Sequence, residues 1–425
     1  MNNNNVQNIL KEDLCIGCGI CSAICPRNAI EMVIDKKSGL FVPQINKSKC
    51  IGCKKCLLSC SSFFSEAEKM ACSGKKDDFI GDFLNLYKGF SLDTRIRLDS
   101  SSGGIVTSVL IFALENKMVD GAIVTKMDEK NPLMTKTFIA ENKEDIIKAS
   151  QSKYCPVNFD ETLKKVMNSN KRYAFVGLPC HIRGIKKAEL VNNKLKGKIV
   201  LHIGLFCDHM VNFIGTETLL EKFKLKKCHI EKLEYRFWNG KKSGMKIDLK
   251  NKQSFFIPSE KYWGCLFELY FFTPKKCIVC DDFTSEYADI SCGDAWIKNS
   301  IKENIIITRN KFAEDIIKRM VENKKIEIKT LDKKELNESL KWSFAKKYTK
   351  EKSFFMKIKN PNYIPRGLEK KCSFFTRIYL LMIVFNSKIS RISFFQKILK
   401  IIPFAFLKQY RRFMHLVYVL GRNYD

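Results

Sequence analysis

The sequence has little histidine and lacks the signatures of several common ligand-binding functions. Five histidines occur in 425 residues, and neither a G-x-G-x-x-G nor a Walker loop is present. A standard dinucleotide fold and ATP use are therefore not indicated. No helix-turn-helix, zinc-finger or RRM-like pattern occurs either, so we do not expect nucleic acid as a partner.

Long apolar runs and an export signal are also missing. The nearest approach to a membrane span is IYLLMIVF at 378–385, well short of the roughly 18 apolar residues that a spanning helix needs. The start MNNNNVQNIL has neither a basic segment nor a long apolar one before Cys15, which argues against an oxidising compartment and a disulfide framework. We therefore expect a cytoplasmic protein whose cysteines have another use.

Acidic residues are few relative to basic ones. The 75 Lys and Arg against 45 Asp and Glu give a formal net charge of +30, which favours phosphorylated cofactors, acidic redox proteins or anionic lipid as partners, although lysine on solvated faces explains the same excess. Residues 371–425 carry ten Lys or Arg among Phe, Ile and Leu, with Asp425 as the single acid. This pattern predicts either amphipathic helices in peripheral contact with the inner membrane face or a helical tail packed on the main domain.

Cysteine, by contrast, is abundant and clustered. Nine of the 18 cysteines lie in the first 72 residues, where CIGCGICSAIC at 15–25 is repeated as CIGCKKCLLSC at 50–60. This C-x2-C-x2-C-x3-C spacing is that of a two-cluster bacterial ferredoxin, in which each cluster takes its fourth ligand from the opposite repeat. Zinc ribbons also use paired C-x2-C motifs, but the doubled pattern favours two 4Fe-4S clusters. The predicted ligand sets are Cys15, Cys18, Cys21 and Cys60 for cluster one and Cys50, Cys53, Cys56 and Cys25 for cluster two.

The two repeats differ after their last cysteine. Pro26 follows Cys25, whereas Ser61 follows Cys60, and we expect a local change of turn without loss of the ligand. Between the repeats, segments 29–34 and 40–45 flank a turn and predict a short hairpin.

Beyond the repeats the pattern is that of an α/β protein. Predicted strands are 121–127, 172–177, 198–206 and 288–293; predicted helices are 105–116, 144–150, 160–168, 180–190 and 215–223. Alternating runs at 232–256 predict an antiparallel sheet, and the chain beyond about 310 is expected to be mostly helical. The predicted class is α+β / α/β multidomain: a ferredoxin domain (1–62), a linker (63–87), a mixed α/β region (88–165 and 166–330) and a basic helical tail (331–425).

A second set of cysteines follows the predicted strands. Cys180 and Cys207 each come directly after a strand, at one edge of the expected sheet, and Cys277 and Cys280 supply an adjacent pair. These four cysteines predict a third 4Fe-4S cluster, with isolated core cysteines as the alternative. His181 and His209 lie close by in sequence and could tune a cluster, relay a proton or be structural. Six cysteines remain unassigned: Cys72, Cys155, Cys228, Cys265, Cys292 and Cys372.

The segment LDSSSGGIVTS at 98–108 places small residues before an apolar helix. Such a turn can expose backbone N–H groups to a phosphate, although a plain structural cap is the commoner outcome. This segment, followed in order by QSKYCPV, FVGLPCHIRGIKK, IGLFCDH, KKCIVCDD and ADISCGDAW, resembles the family of coenzyme F-420 hydrogenase/dehydrogenase beta subunits. The resemblance spans roughly 88–330 and leaves the last 95 residues uncovered.

The resemblance implies a flavoprotein that binds FAD and passes electrons between iron–sulfur clusters and a two-electron acceptor. It makes the mixed α/β region a flavin-binding domain, with 88–165 as its N-terminal part and 166–330 as its C-terminal flavin and iron–sulfur part. Family members act on deazaflavin coenzyme F-420, on chlorophyll-type substrates, or in surface-polysaccharide gene clusters. The implied flavin contacts are Ser101, Ser102, Gly103, Gly104, Thr107, Lys153, Tyr154 and Asp294.

The working hypothesis is therefore an iron–sulfur flavoprotein oxidoreductase. Its electrons would come from ferredoxin or a dehydrogenase subunit and leave for a small-molecule acceptor such as a coenzyme F-420-like compound or a polysaccharide precursor. Two alternatives stay open: a non-catalytic electron-transfer subunit of a larger complex, and an iron–sulfur sensor with a degenerate flavin domain.

Overall fold

The chain is represented by a computed structural model, which describes residues 5–63, 75, 77, 79–297, 302–347 and 373–422. The strands are β1 (Ile30–Asp35), β2 (Leu40–Ile45), β3 (Asn85–Ser91), β4 (Gly121–Met127), β5 (Thr135–Ala140), β6 (Tyr173–Gly177), β7 (Ile199–Leu205), β8 (Ile230–Trp238), β9 (Ser243–Leu249), β10 (Ser254–Pro258), β11 (Ile290–Asp294), β12 (Asn304–Thr308) and β13 (Ile326–Thr330).

The α-helices, numbered in chain order, are α1 (Gln7–Lys11), α2 (Ile20–Ala23), α3 (Lys55–Leu58), α4 (Thr94–Asp99), α5 (Ile105–Glu115), α6 (Lys143–Lys148), α7 (Asp160–Met167), α8 (Pro179–Val191), α9 (Phe213–Lys222), α10 (Ser259–Tyr262), α11 (Lys275–Ile278), α12 (Lys311–Glu322), α13 (Lys333–Lys347), α14 (Phe374–Ile389), α15 (Ser393–Ile401) and α16 (Phe404–Arg422). A 3-10 turn, Lys227–His229, and a π-helical turn, Trp263–Phe267, complete the described elements.

An eight-stranded mixed sheet organises the main body. Its strand order is β13-β3-β12-β11-β7-β6-β4-β5. The four central strands β4, β6, β7 and β11 are parallel, and the outer strands pair antiparallel. Parallel strands place their carboxyl ends at one edge, so the chain segments that follow β6, β7 and β11 converge there.

Alternation along the central strands buries both faces of this sheet. Ala122 and Val124 of β4 pack with α5 and α12, whereas Ile123 between them packs with α7 and α8. Successive strand residues point to opposite faces, so apolar residues at every position indicate a strand covered on both sides. This explains why the sequence reads as continuous apolar strands between helices.

The N-terminal segment forms the predicted hairpin and contacts the main body directly. β1 and β2 pair antiparallel from Ile30↔Ile45 to Asp35↔Leu40. The backbone N–H of Phe159 donates to the Cys18 carbonyl at 3.0 Å. At Gly19 (φ +74°) an added Cβ would lie 1.9 Å from Asn158 Oδ1, so only glycine permits this close approach. Close packing beside Cys18 brings the first cysteine repeat against α7 and α8.

A three-stranded antiparallel sheet, β10-β9-β8, and the last three helices share a second core. Asn386 Nδ2 of α14 donates to the Leu269 carbonyl at 2.9 Å, and Ser387 Oγ donates to the Thr273 carbonyl at 2.7 Å. These bonds fix the tail helices on the main body. Of the described helices, none is long and apolar enough to cross a bilayer by itself; α14 and α15 together meet the criteria of length and composition but are bent by 104°.

The sequence-based assignments differ from the structure mainly on one side of the sheet. β13 is a strand beyond residue 310, where the sequence predicts mostly helical structure, and β3 begins at Asn85, inside the predicted 63–87 linker. Both strands pair with partners that are distant in sequence. β13 is the edge strand and β3 pairs with both β13 and β12. Local pattern does not reveal such pairing, because the remote partner strands decide whether these segments form strands.

A buried histidine on β7 is paired with two carboxylates. His202 Nδ1 lies 3.0 Å from Asp289 Oδ2, and Nε2 lies 3.2 Å from Glu189 Oε1. Burial lowers the pKa of His202, but the hydrogen bonds to Asp289 and Glu189 outweigh it, and the net pKa is raised. The folded state therefore favours the imidazolium form.

We expect His202→Gln to lower stability more at low pH than at high pH. Because the folded pKa of His202 exceeds the unfolded value of about 6.5, the contribution of the charged form is complete below about pH 6.5 and is lost as pH rises through the folded pKa. Hydrogen bonds to charged groups contribute roughly 1.5–3 kcal/mol. Anaerobic thermal unfolding at several pH values measures the difference in unfolding midpoint between the variant and the parent.

The matched control is His229→Gln, at an exposed histidine. Its unfolding midpoint should follow the parent at every pH. A difference in unfolding midpoint between His202→Gln and the parent that does not change with pH would contradict a charged imidazole at this position.

Candidate functional site

The eight cysteines of the N-terminal repeats form two groups, each combining members of both repeats. Burial raises the pKa of Cys15 to about 12, with the nearby Cys60 adding to the rise. Burial also raises the pKa of Cys21 well above its usual value, followed by the effects of Cys18, Cys15 and Cys60. The structure thus brings Cys15, Cys18, Cys21 and Cys60 together.

The second group also combines three cysteines of one repeat with one cysteine of the other. Burial raises the pKa of Cys56 to about 11, and its neighbours Cys53, Cys25 and Cys50 raise it further. These four cysteines line one small cavity. The Ala29 N–H donates to Cys25 Sγ at 3.3 Å, and in the first group the Gly17 N–H donates to Cys15 Sγ at 3.4 Å. Backbone N–H groups directed at sulfur are a feature that tunes iron–sulfur clusters.

The four later cysteines also converge. Burial raises the pKa of Cys180 well above its usual value, and Cys207, Cys277 and Cys280 raise it further. All four line a second small cavity, together with the buried Lys276. Cys180 lies in the first turn of α8, which follows β6, and Cys207 follows β7, so neighbouring parallel strands bring both thiols to one edge.

The three groups are contiguous. Cys56 contributes to the electrostatic environment of Cys21, and Cys18 to that of Cys180. Cys18, Cys180 and Cys277 pack around one apolar group of Ile16, Leu40 and Met210. Within the described ranges, no three His, Cys, Asp or Glu side chains are placed to hold a single metal ion; a cubane is larger than one ion and holds its thiolates further apart.

A large cavity of about 690 Å³ lies beside the third cysteine group, at the carboxyl edge of the parallel strands. Gly177 of β6, Leu205 of β7 and Asp294 of β11 line it, and Cys207 lines both this cavity and that of the third group. Its position is the usual one for ligands in open α/β sheets.

Seven of the eight predicted flavin contacts line this cavity: Ser101, Ser102, Gly104, Thr107, Lys153, Tyr154 and Asp294. Gly103 does not contribute to the lining. An added Cβ at Gly103 would lie 2.7 Å from the Gly89 carbonyl oxygen, so its small size serves packing against β3. Gly104 is the N-cap of α5 with φ +80°, a conformation that favours glycine.

The serine turn before α5 is held on both sides. The Ser152 N–H donates to Ser101 Oγ at 2.8 Å, and Ser102 Oγ donates to the Glu303 carbonyl at 2.5 Å. Gly104, Ile105 and Thr107 line the cavity immediately after it. The first turn of an eleven-residue helix is thereby presented to the cavity in a fixed position, where N–H groups and the helix dipole favour an anion.

Lys153 has a role that the sequence did not indicate. Its ammonium donates to the carbonyls of Ala149, Ser150 and Gln151 at 2.6, 2.6 and 2.9 Å. Burial lowers the pKa of Lys153 to about 7, while Cys155 opposes the shift. The side chain therefore holds the turn after α6 as well as lining the cavity.

Arg236 and Trp263 complete the wall around Tyr154 and Asp294. Arg236 Nη1 lies 2.6 Å from Asp294 Oδ2, and the Tyr154 and Trp263 rings are 4.8 Å apart at 43°. Burial raises the pKa of Tyr154, with Arg236 opposing and Asp294 adding to the rise. Arg236 and Trp263 are not evident from the sequence, because their own segments carry no motif and only the fold brings them to the cavity.

The tail and the two histidines also reach the cavity. Arg411, Met414, His415 and Tyr418 of α16 line it, as do His181 and His209. His209 Nε2 lies 3.0 Å from the Phe267 carbonyl oxygen, and its ring stacks on Trp263 at 5.3 Å. Among the unassigned cysteines, Cys292 lines the cavity, Cys155 and Cys265 are buried and Cys228 is exposed. Cys72 and Cys372 lie outside the described residues.

Three models of known families match this chain. Models of the coenzyme F420 hydrogenase/dehydrogenase beta subunit match residues 86–164 with their N-terminal part and 170–334 with their C-terminal part. The chain belongs to this family. A 4Fe-4S dicluster domain model matches residues 14–63, so this member of the family is a mixed α/β multidomain protein with an N-terminal ferredoxin domain.

The relatives of this chain whose names state an activity are redox proteins. An uncharacterized Methanocaldococcus jannaschii protein is 28% identical over 348 residues, covering 74% of this chain and 90% of the relative. A subunit of the F420H2 dehydrogenase of Methanosarcina mazei is 26% identical over 323 residues, covering 71% and 82%. A chain of the F420-reducing NiFe hydrogenase complex of Methanosarcina barkeri has a TM-score of 0.53 at 22% identity, covering 69% of this chain and 98% of its own, which shows a shared fold.

Proposed function

We propose that this protein is an iron–sulfur flavoprotein oxidoreductase that passes electrons from its ferredoxin domain through FAD to a two-electron acceptor. One observation carries the proposal: three groups of four cysteines are contiguous, and the last of them borders the large cavity through Cys207. Electron transfer needs such an uninterrupted series of sites, whereas isolated core cysteines do not.

The proposed ligands follow the three groups. The first 4Fe-4S cluster would take Cys15, Cys18, Cys21 and Cys60, the second Cys50, Cys53, Cys56 and Cys25, and the third Cys180, Cys207, Cys277 and Cys280. Thiols buried together bind protons strongly in the absence of a metal, and bound iron favours the thiolate form instead. The buried Lys276 beside the third group would offset part of the cluster's negative charge.

The cavity suits a flavin dinucleotide in size and chemistry. The pyrophosphate would lie at the start of α5, near Ser101, Ser102, Gly104 and Thr107, where the helix dipole stabilises anions. The Tyr154 and Trp263 rings offer an aromatic wall for the isoalloxazine, and the Arg236–Asp294 pair lies close to it. When bound, FAD would convert single electrons from the clusters into a two-electron transfer.

The acceptor and donor are proposed from the relatives. Several are named for coenzyme F420 and as subunits of hydrogenases or dehydrogenases. We propose a deazaflavin-like acceptor in the part of the cavity that α16 lines, and a ferredoxin or dehydrogenase subunit as the donor. The same names favour one alternative, a subunit that requires a separate catalytic partner; turnover of an artificial acceptor by the isolated chain would argue against it.

An anaerobic inventory of iron, sulfide and flavin per chain tests the proposal. After reconstitution we expect about twelve irons and one flavin, and about eight irons for Cys280→Ser. Cys228→Ser, at an exposed cysteine outside the three groups, is the control and should keep the full content. A chain with stable clusters and no flavin in the released supernatant would rule out the flavoprotein and favour an iron–sulfur sensor.

A further inference from the structure

The last three helices present an exposed apolar surface, which we call the tail face. It comprises nine large side chains whose exposed fractions run from 54% at Leu416 to 79% at Ile401. Those within α14, α15 and α16 are spaced by three, four or seven residues, which places them in one stripe along each helix; Ile392 is the N-cap of α15. The members are Phe374, Leu381 and Phe385 of α14, Ile392, Phe394 and Ile401 of or next to α15, and Phe406, Phe413 and Leu416 of α16.

The exposure of the tail face does not come from poor packing of these helices. Other side chains of the same helices are buried in the core shared with β8–β10, namely Tyr379, Ile383, Leu399, Leu407 and Val417. The helices also have buried hydrogen bonds to the main body. Their orientation is therefore fixed, and the apolar stripes are directed outward.

The tail helices themselves carry charge of a single sign. Residues 373–422 contain no Asp or Glu. Three of their basic side chains, Arg391, Lys400 and Arg411, form ion pairs with acids outside the tail, namely Asp13, Glu221 and Glu268. Others are exposed on the outer side of the helices, including Lys388, Lys397, Lys408 and Arg412. The outer surface is thus both apolar and positive.

This combination distinguishes two kinds of occupant. Protein–protein interfaces are depleted in lysine. Helices that lie in a membrane interface instead combine Phe and Leu with Lys and Arg, and they bind anionic lipid through both apolar burial and electrostatic attraction. None of the described helices is suited to span a bilayer alone, and the stripes lie on helices whose other side is packed.

We propose that the tail face docks on an anionic lipid surface. Apolar side chains such as Phe394 and Ile401 would enter the headgroup region, and the exposed basic residues would contact lipid phosphates. This inference does not depend on the proposed redox function. Because α16 also lines the large cavity through Arg411, Met414 and Tyr418, docking would hold one wall of the cavity close to the membrane.

Flotation of the full-length, cluster-loaded protein with vesicles tests the proposal. We expect the protein to float with vesicles of equal parts phosphatidylcholine and phosphatidylglycerol, to remain at the bottom with phosphatidylcholine alone, and to be released by high salt. The triple variant Lys397→Gln, Lys408→Gln and Arg412→Gln should bind about fivefold more weakly per removed charge, roughly a hundredfold in all. Phe394→Ser with Ile401→Ser should also lose binding.

Matched controls separate the tail face from the overall charge. Lys130→Gln, Lys250→Gln and Lys324→Gln remove three exposed charges elsewhere, and Leu190→Ser removes an exposed apolar side chain of α8. These variants should float like the parent, and iron content checks that every variant is folded. An equal loss in the two charge variants, or no flotation with either vesicle, would overturn the proposal, as would capture of a protein partner through the same face without lipid binding.

Discussion

Replacing Cys180 by serine is expected to interrupt electron flow between the ferredoxin domain and the cavity while leaving flavin in place. Cys180 belongs to the third group, which adjoins Cys18 of the first group and borders the large cavity through its own member Cys207. Loss of one thiolate ligand destabilises a 4Fe-4S cluster, and the two ferredoxin clusters would then have no cluster between them and the cavity. The substitution should therefore slow electron transfer to the flavin without changing the amount of bound flavin.

The measurement is the rate of flavin reduction after anaerobic mixing with reduced ferredoxin. We expect a fall of at least about a hundredfold in Cys180→Ser, together with a loss of about four irons per chain. Cys228→Ser should match the parent in rate and in iron. A Cys180→Ser chain that lacks four irons but reduces its flavin at the parental rate would show that electrons bypass the third group.

The second large effect is expected at Gly104, the N-cap of α5. Its φ of +80° lies in the left-handed region, and an added Cβ would sit 3.1 Å from Ile96 Cγ2 and 3.2 Å from the Ile96 carbonyl oxygen. A non-glycine residue in this conformation costs about 1–2 kcal/mol, which the turn can relieve only by moving the first N–H groups of α5. We therefore expect Gly104→Ala to weaken flavin binding by about tenfold or more.

A matched glycine separates this effect from general strain. Gly240 has φ +88° in the turn between β8 and β9, and nothing lies within 4 Å of its added Cβ. Gly240→Ala carries the same backbone penalty away from the cavity. The equilibrium dissociation constant for flavin, measured by fluorescence of the released cofactor, should change in Gly104→Ala alone. Equal changes of this dissociation constant in the two variants would show that α5 does not contribute to the flavin site.

Sequence reasoning reached the central fold because its signals are local. The runs 121–127 and 172–177 correspond to β4 and β6, and the alternation at 232–256 corresponds to β8–β10. It did not reach β3, β12 or β13, which pair with one another on one side of the sheet. For these strands the partners decide whether a segment forms a strand, and the partners are remote in the chain. The domain limits proposed from the sequence stay predictions.

For the candidate site the same distinction holds. The serine and glycine turn was found because it lies in one stretch of chain, but Arg236 and Trp263 come from segments without a motif. The sequence does not decide between a tail that contacts the membrane and a tail packed on the main domain, because both need the same amphipathic helices. In the structure one side of each tail helix packs on the main body and the other side stays exposed.

The sequence by itself determined the identity of the ferredoxin domain. Cysteines two or three residues apart lie on one tight loop, so their spacing alone indicates a cluster. The tertiary structure decided what the domain faces: parallel strands carry Cys180 and Cys207 to one sheet edge, α11 adds Cys277, and the close approach at Gly19 brings Cys18 to them. Such convergence depends on strand order and packing, which join residues far apart in the chain and which no local spacing encodes.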